Sequence, residues 1–209
     1  MSGIVTLISG RGSNMQALIE AGLPVAAVIS NRPDARGLDT ARAHGIAADV
    51  VDHKAFPNRE AFDAALLERV LSYRPSLVVL AGFMRVLTSG FVQALSGRLM
   101  NIHPSLLPAF PGLDTHQRAL DAGVKLHGCT VHFVTEDLDH GPVVAQAAVP
   151  VLDEDTAGTL AARVLEQEHR LLPAAVRWFL EDRLEVQGLR VTLRGGALLA
   201  SALRVPEVP

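Results

Sequence analysis

A chain of 209 residues has the length of one domain with at most a small appendage. Its 49% hydrophobic and 20% charged residues suit a globular fold with a large core, and they exclude a disordered chain or a disulfide-held miniature. A formal net charge of −3, a pI of about 6.2 and one cysteine, Cys129, argue against a general nucleic-acid grip and against an internal disulfide, and they suit a reducing, cytoplasmic setting. The N-terminus enters an apolar strand without the features of a signal peptide, and no apolar run approaches the ~20 residues of a membrane helix.

In chain order, two periods alternate. Gly3–Ser9 reads as a buried strand and Ser13–Gly22 as a helix, with Met15, Leu18 and Ile19 on one face. Pro24–Ser30 is a strand, Ala35–Gly45 a short helix and Ala47–Val51 a short strand. Asn58–Tyr73 is the clearest helix: Asn58 can cap it, and Phe62, Leu66, Val70 and Tyr73 recur at helical intervals. Leu77–Gly82 is nearly all apolar, as a strand buried on both faces should be, and Phe91–Leu95 belongs to another short helix. This alternation predicts an α/β fold with a doubly wound, mostly parallel sheet, whose ligands lie beyond the carboxyl ends of the strands.

The second half changes character. Arg98–His103 is a strand, followed by a loop with three prolines between Pro104 and Gly112, and then a helical stretch, Asp114–Gly123. His127–Val134 and Pro142–Val151 look like strands joined by the turn Thr135–Gly141, which predicts an antiparallel addition to the sheet. Asp155–Leu172 is a long helix, and Pro173 is expected to kink it or to separate it from Ala174–Arg183. The remainder reads as a strand or hairpin and a tail of ~20 residues, an ending often loosely ordered. Residues 1–209 are expected to form a single domain.

Ser9-Gly10-Arg11-Gly12-Ser13-Asn14 joins the first strand to the first helix. Glycines there allow a phosphate to approach the backbone, and the amides of the helix start point at it. A tight turn with an N-cap is the other reading. The loop lacks the third glycine of a dinucleotide fingerprint and the Gly-Lys-Ser/Thr of an ATP loop, and the second strand ends without an acid for a ribose. Arg32 keeps a nucleotide-binding (NADP) module open as a competing class. A phosphate monoester on a small substrate fits better.

Asn101-Ile102-His103-Pro104 holds the densest chemistry. Residues two apart on a strand share a face, so Asn101 and His103 project together, and Pro104 stops the strand beside them. An amide donor beside an imidazole suits a carbonyl that becomes an oxyanion, and a histidine can carry protons near neutrality. A half-buried histidine bonded to a backbone carbonyl accounts for the pattern equally well. Asp139, in the turn before Gly141-Pro142, can relay a proton if it meets His103, or simply bond its own turn. Five of the eight histidines lie between His103 and His140, yet His127 and His132 are five apart on one strand and face opposite sides. No metal site is expected.

Five blocks occur in one order: Gly10–Asn14, Leu80–Arg85, Asn101–Pro108, His127–Val134 and Leu138–Pro142. Together they resemble the phosphoribosylglycinamide formyltransferase family, over about Ile4 to Asp182. The resemblance implies a folate-dependent enzyme of purine synthesis that moves a formyl group from 10-formyltetrahydrofolate to the primary amine of glycinamide ribonucleotide, by direct attack through a tetrahedral intermediate. By position, it implies that Gly12, Ser13 and Asn14 hold the substrate phosphate and that Glu168 contacts the sugar or the amine. It implies folate binding by Arg59 and by Met84, Arg85, Val86 and Leu87, and a catalytic trio of Asn101, His103 and Asp139 that also touches the folate through Asn101 and Asp139. His116 matches a histidine near that site. Small-molecule partners are implied, with no metal, nucleic acid or membrane, in a monomer or homodimer.

Two positions depart from the family pattern: His140 stands where a second glycine is usual, and Arg11 occupies a variable place in the phosphate loop. Among relatives, the 10-formyltetrahydrofolate hydrolase carries an extra N-terminal domain and the formyltransferase of initiator methionyl-tRNA a C-terminal one. The chain length is expected to leave no room for either.

Overall fold

The computed structural model describes residues 3–196 and 204–205. The chain divides into two compact units, Met1–Ile102 with Phe133–Leu138, and His103–His132 with Asp139–Pro209.

The first unit begins with β1 (Ile4–Ile8), α1 (Ser13–Glu20), β2 (Val25–Ser30), α2 (Gly37–Ala43) and β3 (Ala47–Val50). It continues with α3 (Arg59–Ser72), β4 (Leu77–Leu80), α4 (Ser89–Ala94) and β5 (Leu99–His103), whose last residue begins the second unit. The strand order is β3-β2-β1-β4-β5, and every pairing is parallel. Alternate residues of β1 and β2 enter different clusters, the behaviour of strands buried on both faces. Val5 and Leu7 of β1, Ala27 and Ile29 of β2, and Val78 and Leu80 of β4 pack with Phe62, Leu66 and Val70 of α3 and Phe91 and Val92 of α4. Ile8 and Val28 pack instead with Met15 of α1 and Leu38 and Ala41 of α2. Helices therefore cover both faces, as the sequence pattern predicts. Asn58 caps α3 as expected, its side chain accepting from Ala61 N at 2.8 Å. The α4 helix starts at Ser89, earlier than its apolar residues suggest, because the Thr88 side chain caps it.

The second unit contains α5 (Thr115–Asp121), β6 (Leu126–Phe133, its end belonging to the first unit), β7 (Val143–Pro150), α6 (Ala157–Leu180), β8 (Leu184–Gln187) and β9 (Arg190–Leu193). Its strand order is β6-β7-β9-β8. The β6–β7 and β8–β9 pairs are antiparallel, and a short parallel bridge joins β7 to β9. The antiparallel addition thus lies in the C-terminal half, and the late hairpin is present.

Pro173 neither separates nor ends the last long helix: α6 runs 24 residues through it. Leu160, Val164, Leu172, Ala175 and Val176 form one continuous buried stripe on both sides of Pro173. That packing outweighs the one hydrogen bond the proline removes. The helix starts on a capping box between Thr156 and Thr159. Most of the expected tail, residues 197–203 and 206–209, lies outside the described residues. Among the described residues no helix is long and apolar enough to cross a membrane.

Candidate active site

The glycine loop of the first unit forms a cavity of about 250 Å³ lined by Ser9, Gly10, Arg11, Gly12, Ser13, Asn14, Ala81, Gly82 and Met84. Gly12 is the N-cap of α1 at φ 74, where an L side chain is strained. The first helical bond runs from Gln16 N to Gly12 O, so the amides ahead of Gln16 point out of the helix start. An anion is the natural ligand of such a terminus. The loop rests on the start of α2: Gly37 N donates to Gly10 O at 3.0 Å. A Cβ on Gly37 would fall 2.5 Å from Ile8 Cδ1 and 3.2 Å from Arg11 O. Sequence reasoning passed over Gly37, whose only signal is a glycine where a helix begins.

Asn101 stands in register with Leu80, the residue before the Ala81 and Gly82 that line this cavity. The cavity and Asn101 thus share the carboxyl end of the parallel strands, where this topology places its ligands. The stretch Met84–Leu87 follows Gly82. Met84 and Val86 are 65% and 56% exposed, while Leu87 packs against the core. Arg85 lies over the Phe62 ring at 5.9 Å. Arg59, at the first position of α3 and half exposed, is one turn from Phe62.

In the second unit His103 and Asp139, remote in sequence, come together. His103 Nδ1 lies 3.5 Å from Asp139 Oδ2, with both side chains buried. The other ring nitrogen, Nε2, is 3.1 Å from Phe110 O. A carbonyl can only accept, so Nε2 carries the donated proton and Nδ1 faces the carboxylate. Asp139 sits in the left-handed region at φ 55, and its Oδ2 also accepts from Gly112 N at 2.8 Å. His132 Nε2 is 3.8 Å from Asp139 Oδ1. A register shift in the β6–β7 pair falls at Val131/His132, beside this turn.

The proline loop supplies Phe110 O and Gly112 N, and α5 pins it. Thr115 donates to Pro104 O, while Arg118 donates to Pro111 O and stacks on the Phe110 ring at 5.7 Å. Phe110 and Gly112 escaped the sequence reading as site residues, because backbone acceptors and donors leave no mark on residue type; Arg118 escaped it because the loop its side chain pins is not visible in the sequence.

His116 of α5 meets His127 of β6, Nδ1 to Nε2 at 3.2 Å. Burial lowers the pKa of His116, with a smaller push from the charge of His103. Burial and the neighbouring His116 hold His127 down to about 4, so both rings are neutral at pH 7. Glu168 is buried on α6, and Cys129 feels its charge. Burial first, then Glu168, pushes that thiol up to about 12, far too high for a nucleophile at neutral pH. Among the described residues no three His, Cys, Asp or Glu side chains are grouped to hold a metal ion.

A sequence profile described as Formyl transferase matches residues 2–176. The phosphoribosylglycinamide formyltransferase of Escherichia coli (strain K12) is 49% identical over 201 residues, covering 93% of this chain and 95% of that protein. The trifunctional purine biosynthetic protein adenosine-3 of Bos taurus is 47% identical over 180 residues, 83% of this chain but 18% of the longer protein. The crystal structure of glycinamide ribonucleotide transformylase 1 from Symbiobacterium toebii is 51% identical, with a TM-score of 0.90, covering 93% of this chain and 94% of that one.

Proposed function

The chain belongs to the formyl transferase family, and on that premise we propose that it transfers a formyl group from 10-formyltetrahydrofolate to the primary amine of glycinamide ribonucleotide, in purine biosynthesis. What carries the reading to this chemistry is the pairing of His103 with Asp139 at 3.5 Å, with the imidazole tautomer set by Phe110 O. A structural histidine would need only the carbonyl.

Gly12, Ser13 and Asn14 take the phosphate of the ribonucleotide at the start of α1. Glu168 contacts its sugar or amine. The folate lies along Met84–Leu87, where Arg85, Val86 and Leu87 make no backbone hydrogen bond within the described protein and so offer unspent amides and carbonyls. Asn101 and Asp139 reach it as well, and Arg59, an exposed cation, meets its anionic part. The folate supplies the formyl group.

As the amine nitrogen bonds to the formyl carbon, the formyl oxygen gains charge. Asn101 donates to that oxygen, and His103, protonated at both nitrogens, supplies positive charge. The second proton of His103, taken from water before the attack, sits on Nδ1, the atom facing Asp139. Asp139, through a water, takes the proton the amine loses and returns it to the folate nitrogen as its bond to carbon breaks. Holding both substrates together supplies much of the remaining acceleration. No step passes through a metal or a covalent enzyme intermediate. The setting is cytoplasmic, with small-molecule partners and a monomer or homodimer as the working form.

One assay tests this. Mixed with 10-formyltetrahydrofolate, the protein should release tetrahydrofolate only when glycinamide ribonucleotide is present. Formate release without the amine would identify a hydrolase. NADP binding with no folate binding would sink both readings.

A further inference from the structure

The anion cavity and the Met84–Leu87 stretch share one serine. Ser9 lines the cavity and is 6% exposed. Its hydroxyl lies 2.6 Å from Asn31 Oδ1 and 2.8 Å from Met84 N. The shorter distance is that of an O–H···O bond, so Ser9 donates to the Asn31 oxygen and accepts from Met84 N–H. Its backbone N–H donates to Gly82 O at 3.1 Å. Ser9 therefore grips the Gly82–Met84 turn at two points and has no proton left for a phosphate. Asn31 is itself anchored: His53 Nδ1 is 2.8 Å from its carbonyl oxygen and donates to it.

The far end of the stretch is held from α3. Thr88 N–H donates to Asp63 Oδ2. Asp63 is 2% exposed, its Oδ1 has no hydrogen-bond partner, and no salt bridge reaches it among the described residues. A buried carboxylate with a single backbone partner is a poor stabiliser. Its placement makes sense as a fixed acceptor for the residue that follows Leu87. Between these two pins lie the unpaired backbone groups of Arg85, Val86 and Leu87.

We propose that Ser9 and Asp63 are positioning residues for folate, pinning the two ends of Met84–Leu87 so that its free amides and carbonyls are preset for the pterin. Ser9, although it lines the anion cavity, is a strut and not a phosphate ligand. The proposal rests on the folate reading above and assigns folate affinity to two side chains that do not touch the folate.

The test uses the full chain as wild type, Ser9→Ala, Asp63→Ala and Asp63→Asn. Calorimetry measures tetrahydrofolate and glycinamide ribonucleotide separately, and hydrogen exchange follows the Met84 and Thr88 amides without ligand. Ser9→Ala should weaken tetrahydrofolate about tenfold, the scale of one lost hydrogen bond, and change ribonucleotide affinity less than about twofold. The Met84 amide should exchange at least about tenfold faster. Asp63→Ala should weaken tetrahydrofolate similarly and free the Thr88 amide. Asp63→Asn keeps an acceptor and should restore both to near wild type, which a merely structural requirement for the carboxylate would not allow. Ser9→Ala alone decides if Asp63→Ala fails to fold. Loss of ribonucleotide binding in Ser9→Ala, or unchanged folate affinity, overturns the proposal while leaving the enzyme reading intact. A wild-type chain that binds no tetrahydrofolate overturns both.

Discussion

His103 has its two ring nitrogens committed differently, and this separates chemistry from structure at one residue. Nε2 is bound to Phe110 O, a local contact that a folded loop supplies. Nδ1 faces Asp139 Oδ2, which also takes Gly112 N–H. Asparagine at 139 keeps an acceptor for Gly112 but cannot hold a charge or take a proton. Asp139→Asn should therefore leave the melting temperature near wild type while kcat falls by roughly 10²–10⁴, the usual worth of a positioned acid–base group. His103→Ala should lose turnover on the same scale, with the affinity for glycinamide ribonucleotide retained. Steady-state kinetics beside thermal melts decides this. Near-normal turnover in either variant removes that residue from the mechanism.

Where α2 begins, an element contact decides the shape of the anion cavity. Gly37 lies so close to Arg11 and Gly12 that a Cβ must push on backbone as well as on Ile8. Overpacking of this kind costs about 1–3 kcal/mol, so Gly37→Ala should weaken ribonucleotide binding roughly tenfold or more. Tetrahydrofolate affinity should move far less, and calorimetry with each ligand reads both. Gly37 also shows where sequence reading stops. Gly10 and Gly12 were legible because a strand, a turn and a helix start follow one another along the chain. Gly37 was not, since its demand comes from a loop elsewhere in the chain. Asn101 and His103 were legible through strand alternation, and Asn58 through its cap. Phe110 and Gly112 act through backbone groups that any residue carries. Of the two readings of Pro173, a kink or a separation, the separation fails, because the buried stripe of α6 sustains a helix that local propensity opposes.

Across the whole molecule, the pI of about 6.2 means that general charge repulsion is smallest just where the buried histidines begin to matter. His127 is held near 4 in the folded chain, against about 6.5 when unfolded. As pH falls below 6.5 the unfolded chain takes up a proton that the folded one refuses, so stability present above that pH is lost on the way down. Lowered His116 acts in the same direction. For His127 the full loss is on the order of 3 kcal/mol, reached below about pH 4. A second decline follows. Asp155 receives two bonds from Arg163, at 2.7 and 2.8 Å, which hold its carboxyl well below the usual range. Its contribution is intact above about pH 4, the ordinary carboxylate value, and fades below it. Denaturant unfolding from pH 8 to pH 3 should therefore show a plateau, a fall between about 6.5 and 4, and a further fall beneath. His127→Gln keeps a donor for His116 and should flatten much of the first fall, while Asp155→Asn should lower the plateau and soften the second. A wild-type stability that stays level from pH 7 to pH 5 would refute the assignment to His127 and His116.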